Sequence, residues 1–163
     1  MNSKEYIFQI FKELGFSGNK TELRKEYENL FVVVKLQKSR FGEDVYLNFG
    51  ILYKDLMIEN TPKLKNCQLK FRYRQLLMAL KKDEFRLGID DAFHQKLNRS
   101  QFEENYNNHF ERMILEFNDL KKMKSEFPNN LPVLNTEENE DDFTHVIYYF
   151  NAEAQLNKYF SEY

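Results

Sequence analysis

The sequence predicts an α+β fold, an antiparallel sheet of about four strands with helices packed on one face, in a single domain over residues 1–163. Three patterns predict it. The run Phe31 to Tyr53, FVVVKLQKSRFGEDVYLNFGILY, alternates apolar and polar residues on both sides of a central Gly. Cys67, Leu69, Phe71 and Tyr73 repeat that alternation against Gln68, Lys70, Arg72 and Arg74. From Ser100 to Lys124 the apolar residues Phe102, Tyr106, Phe110, Met113, Phe117 and Leu120 recur at helical spacing. A period of two marks a half-buried strand and a period near 3.6 an amphipathic helix.

Taken in order, the chain opens with Asn2 and Glu5 at capping-box spacing, followed by Ile7, Ile10, Phe11 and Leu14 on one helical face. Gly15 ends that helix. Gly18-Asn19 is a turn, and Leu23, Lys25 and Tyr27 alternating with Arg24, Glu26 and Glu28 predict a first, more exposed strand. The Phe31 to Tyr53 run is a hairpin. Placing Arg40 opposite Glu43 sets Leu36 against Leu47, Val34 against Phe49 and Val32 against Ile51, so the two apolar faces coincide. A one-residue slip would turn all of them to solvent, which fixes the register and leaves Phe41-Gly42 at the turn.

Asp55 to Asn66 loses periodicity and carries Pro62, so it is a connection between strands. The Cys67 strand follows. Leu76 to Leu80 fits either its end or a short helix, and Lys81 to Arg99 stays open, with Gly88 as a break and Asp90 or Asp91 able to cap a helix containing Phe93. Ser100-x-x-Glu103 fits a capping box for the long helix, and Lys121, Lys122 and Lys124 suit the negative end of its dipole. Pro128 and Pro132 close it. The acidic stretch at about 136–142 reads as an exposed loop. Phe143, His145, Ile147 and Tyr149 then alternate like a strand before Ala152, Leu156, Tyr159 and Phe160 return to helical spacing.

A chain of 163 residues buries roughly 70% of its unfolded surface, enough for a core without staples. Cys67 is the sole cysteine, so no internal disulfide forms. The first residues, MNSKEYIFQIF, hold no uninterrupted apolar run, and a soluble, cytoplasmic protein with no membrane span is the expectation. The net charge of -2 is unevenly spread: Lys20 to Arg86 has 15 basic against 9 acidic residues, and Leu87 onward has 7 against 15. The sheet half is basic and the later half acidic.

The segments LGF at Leu14 to Phe16, VVKLQKSRFGEDVYLNFGI at Val33 to Ile51, and Cys-x-x-x-Phe-Arg at Cys67 to Arg72 resemble a bacterial family known as domain of unknown function 4304. LQKS, Leu36 to Ser39, and LNFGI, Leu47 to Ile51, are the most specific parts. The resemblance covers about the first half of the chain. It implies a small intracellular α+β domain and no established activity.

Chemistry is sparsely signalled. His94, His109 and His145 are far apart and lack zinc-site spacing, so no metal or cofactor is expected. Cys67 would need a histidine beside it to act as a nucleophile, and its place on the apolar side of a strand points inward, to packing. Asp90-Asp91 and Asp141-Asp142 fit a helix cap and a solvated loop. No nucleophile elbow, Walker loop or dinucleotide fingerprint occurs. The constellation that stands out is the polar face of the sheet: Lys35, Gln37, Lys38, Arg40, Tyr46 and Asn48 on the hairpin, joined by Lys70, Arg72 and Arg74. Basic groups interleaved with amides and an aromatic ring suit an acidic protein patch or a phosphate backbone, and the same residues also suit a solvated face. The favoured reading is a non-enzymatic module that binds another protein, for example a toxin-neutralising one. The alternatives are a nucleic-acid binder using the basic face and an enzyme of unrecognised type.

Overall fold

A computed structural model describes residues 3–38, 45–72, 104, 107, 110–127 and 152–162. The hairpin turn, the stretch 73–100 with the alternatives weighed for it, the Ser100/Glu103 capping box, the acidic loop and the 143–149 alternation lie outside these residues.

Helix α1 (Ser3–Glu13) buries Ile7, Ile10 and Phe11. The LGF segment ends it in a Schellman motif. Phe16 N donates to Phe11 O at 2.9 Å and Gly15 N to Lys12 O at 3.1 Å, with Gly15 at φ +90°, where an L side chain would be strained. Phe16 then meets Phe11 edge to face at 5.1 Å. The chain turns into a two-residue strand, β1 (Ser17–Gly18), and on through β2 (Glu22–Glu26), β3 (Leu30–Lys38), β4 (Val45–Tyr53) and β5 (Leu69–Arg72). The sheet is antiparallel in the order β1-β2-β3-β4-β5. The expected strands are therefore present, with β1 as an addition too short for periodicity to reveal. Hairpin register is as expected: Val32 pairs with Ile51, Val34 with Phe49 and Leu36 with Leu47.

The long helical segment is not one rod. It breaks at Asp119 into α2 (Glu111–Asn118) and α3 (Leu120–Glu126). Asp119 has extended backbone, and its carboxylate accepts from Lys122 N at 3.1 Å, so it stops one helix and caps the next. Upstream, Asn107 and Phe110 are π-helical. The apolar stripe nevertheless stays on one side, because Phe110, Met113, Phe117 and Leu120 are all buried, together with Ile114 and Met123. The last helix, α4 (Glu153–Ser161), buries Leu156, Tyr159 and Phe160.

The four helices among the described residues cover the same face of the sheet, and the core between them holds Leu23, Val32, Val34, Leu47, Phe49, Ile51 and Leu69. Each such side chain, fully buried, contributes about 1.5–3 kcal/mol. Tyr53 is the largest of them. Its hydroxyl donates to Phe117 O at 2.9 Å, and its ring lies 5.5 Å from Tyr159 and 5.2 Å from Phe160, so one residue of β4 joins α2 to α4. Lys25 is a second junction: its Nζ donates to Leu14 O at the end of α1 at 3.0 Å and to Glu111 at 3.4 Å, while lying over the Phe16 and Tyr27 rings. A cation at a helix C-terminus meets the negative end of the dipole.

Candidate docking face

The outer face of the sheet, opposite the helices, is divided in two. At the end distant from the hairpin turn it is apolar and covered. The connection from β4 to β5 forms single 3-10 turns at Lys54–Leu56 and Leu64–Asn66 and lies across the sheet as a strap. Under it sit Val33, Leu52 and Cys67, with Phe31, Met57 and Leu64 at the margin. Gly50 makes this approach possible: a Cβ there would fall 2.5 Å from Cys67 Sγ and 2.8 Å from Leu64 Cδ1. Two β2 side chains hold the far side of the strap. Arg24 Nη1 donates to Pro62 O at 3.2 Å, and Glu22 Oε1 accepts from Leu64 N at 3.2 Å. The periodicity-free connection is thus a packed element, fastened by residues over thirty positions away.

This placement corrects the reading of Cys67. It is buried, but on the outer face beneath the strap and not among the helices: it lies before β5, at the end of the Leu64–Asn66 3-10 turn and outside the strand's alternation. Burial pushes its thiol pKa well up, more than the nearby Lys70 lowers it. A protonated, enclosed thiol is packing, with Sγ directed at Lys63 O at 3.5 Å.

Toward the hairpin turn the outer face is polar. Lys35 on β3 pairs in register with Asn48 on β4, which pairs with Arg72 on β5, so the three form one row across the sheet. Gln37 and Lys35 are exposed although β3 is flanked by strands on both sides. Asn48 Nδ2 donates to Gln37 Oε1 at 3.0 Å, a diagonal pair that orients both amides. Lys70, opposite Gly50, donates to Lys65 O at 3.0 Å, and partial burial lowers its pKa. Tyr46 is paired with Gln37, while Lys38 ends β3 opposite Val45, one residue out of step with Lys35 and Gln37. Arg40 and Arg74 lie outside the described residues. Pattern reading missed Glu22, which pairs in register with Lys35 and whose carboxylate lies 4.0 Å from its Nζ, placing a negative charge in the basic row. The signal is the alternation itself, which extends one residue before Leu23 and sets Glu22 on this face.

The histidines lie outside the described residues, and among the described ones no three of His, Cys, Asp or Glu are placed to hold a metal. No helix among them is long and apolar enough to cross a membrane. A family model for a domain of unknown function (DUF4304) matches residues 7–120. The chain belongs to the DUF4304 family. That match runs from within α1 through Leu120 at the start of α3, beyond the first half in which the resembling motifs fall. No curated protein and no solved structure matches the chain. In this DUF4304 protein the most specific resembling motifs fall on the central hairpin, Leu36 to Lys38 of LQKS ending β3 and LNFGI lying within β4, and the Gly of LNFGI is Gly50 under the strap.

Proposed function

We propose that this chain is a non-enzymatic protein-binding module whose docking surface is the uncovered outer face of β3, β4 and β5. The observation that carries the reading is the exposure of Lys35 and Gln37 on a central strand, beside a strap that closes only the other half of the face. Aligned strands with a hydrogen-bonded amide pair make a flat, pre-oriented patch, and pre-organisation reduces the ordering cost of binding. Glu22 among the basic residues favours a partner of mixed charge with an acidic centre over the uniformly negative backbone of a nucleic acid.

The test is affinity capture from the source cell, with and without nuclease, using the unaltered chain and the Lys35→Glu and Arg72→Glu variants. A stoichiometric protein that survives nuclease and is lost with both charge reversals supports the reading. Capture that depends on nucleic acid, or that both variants retain, overturns it.

A further inference from the structure

One carboxylate stands among the cations and amides of the polar half of the outer face. Glu22, Lys35, Asn48 and Arg72 are successive register partners on β2, β3, β4 and β5, so Glu22 sits at the β2 end of the row. A glutamate that is free in solvent rotates about its side-chain bonds and swings away from an approaching anion. Glu22 is engaged at both oxygens: Oε1 accepts from Leu64 N in the strap at 3.2 Å, and Oε2 lies 4.0 Å from Lys35 Nζ. Its side chain is only 19% exposed, against 49% for Lys35. Swinging out would break a charge-assisted hydrogen bond and strip the Leu64 N–H of that acceptor. Arg24, the cation on the same side of β2, is committed to the strap through Pro62 O at 3.2 Å. The β2 margin of the face therefore presents a negative charge that cannot step aside.

We infer that Glu22, locked in place by the strap, is the specificity-determining residue of the docking face and sets the charge order of its partner: a protein segment carrying a basic group over β2 and acidic groups over β3 to β5. Neighbouring strands are about 4.8 Å apart, so a base facing Glu22 and an acid facing Lys35 fit side by side on one extended or helical segment. A nucleic acid has a negative charge at every repeat and no cation to set against Glu22, so the same carboxylate turns it away. The strap thus governs selectivity on the half of the face that it leaves open. This inference rests on the docking reading and adds to it the residue that excludes the wrong class of ligand.

The experiment measures binding of a fluorescent oligothymidylate to the full chain in about 0.1 M salt, where charges are screened beyond about 10 Å, beside partner capture from the source cell. Three variants separate the causes. Glu22→Gln is isosteric, removes the charge and keeps a neutral acceptor for Leu64 N. Glu22→Asp keeps the charge but falls a methylene short of that N–H. Glu28→Gln makes the same change of net charge at the exposed β2–β3 turn. Glu22→Gln should bind the oligonucleotide roughly threefold tighter or more, the effect of removing one unit charge a few ångströms from a phosphate, and should capture less of the protein partner. Glu22→Asp and Glu28→Gln should bind the oligonucleotide as the unaltered chain does. A gain shared by Glu22→Asp assigns the effect to the strap, and a gain shared by Glu28→Gln assigns it to net charge; either overturns the inference, as does an unchanged oligonucleotide affinity in Glu22→Gln. Capture lost in Lys35→Glu and Arg72→Glu but undiminished in Glu22→Gln sinks this inference alone, whereas capture retained by all three sinks the docking reading.

Discussion

The thiol of Cys67 and the missing side chain of Gly50 occupy adjoining space, and each explains the other. Gly50 faces the strap because β4 alternates, and any Cβ there meets Cys67 and Leu64 inside van der Waals contact. Gly50→Ala should therefore destabilise the fold by about 1–3 kcal/mol in urea unfolding, the usual cost of overpacking. Cys67→Ala in the same chain should recover part of the loss, giving a non-additive cycle. The thiol itself predicts a pH dependence. Its folded pKa is raised by burial above the ordinary value of about 8.5, so its stabilising contribution is complete below that pH and declines as pH rises beyond it. Stability measured from pH 7 to 10 should fall above about pH 8.5, and Cys67→Ala should flatten the decline. The periodic pattern showed that position 67 is apolar and buried. It could not show on which side, because alternation is anchored only within a paired strand, and Cys67 lies before β5, where the chain is emerging from a 3-10 turn.

Elements differ in how openly the sequence displays them. The hairpin register was legible because six apolar residues, Val32, Val34, Leu36, Leu47, Phe49 and Ile51, had one arrangement that set them all on the same face. The break in the long helix was not, because Phe117 and Leu120 are three apart and keep the stripe continuous across it. What ends α2 is side-chain chemistry. Asp119 caps α3, and Asn118 receives Asn29 N on its Oδ1 at 2.8 Å while Asn29 Nδ2 donates to Asn118 O at 2.9 Å. The β2–β3 turn thus satisfies the end of α2 from outside. Asp119→Ala should cost about 1 kcal/mol, the worth of a lost N-cap, and Asn29→Ala should destabilise independently of it. Thermal unfolding of the two single variants and the double variant checks both claims.

Across the whole molecule, helices on one face and a half-covered second face follow from the amphipathic strands, and that much of the candidate site could be read from alternation. Its division could not, since the strap has no period and is held by the long-range contacts of Glu22 and Arg24. Tyr53 binds the helical layer together. Tyr53→Phe keeps the ring contacts but leaves Phe117 O without its donor, so a loss of about 1–3 kcal/mol is expected in denaturant unfolding with the fold retained.

The strap also alters which parts of the sheet can come apart. In a simple antiparallel meander the strand next to an edge opens early, because few contacts hold it. Here β2 is clasped through Arg24 and Glu22 to a segment that begins at β4 and ends at β5. Peeling β2 away exposes Val33, Leu52 and Cys67 together, so near-edge and central strands share one opening event. In native-state hydrogen exchange, the amides of Leu64 and of β2 should exchange with one common free energy, and Glu22→Gln with Arg24→Met should split them into two.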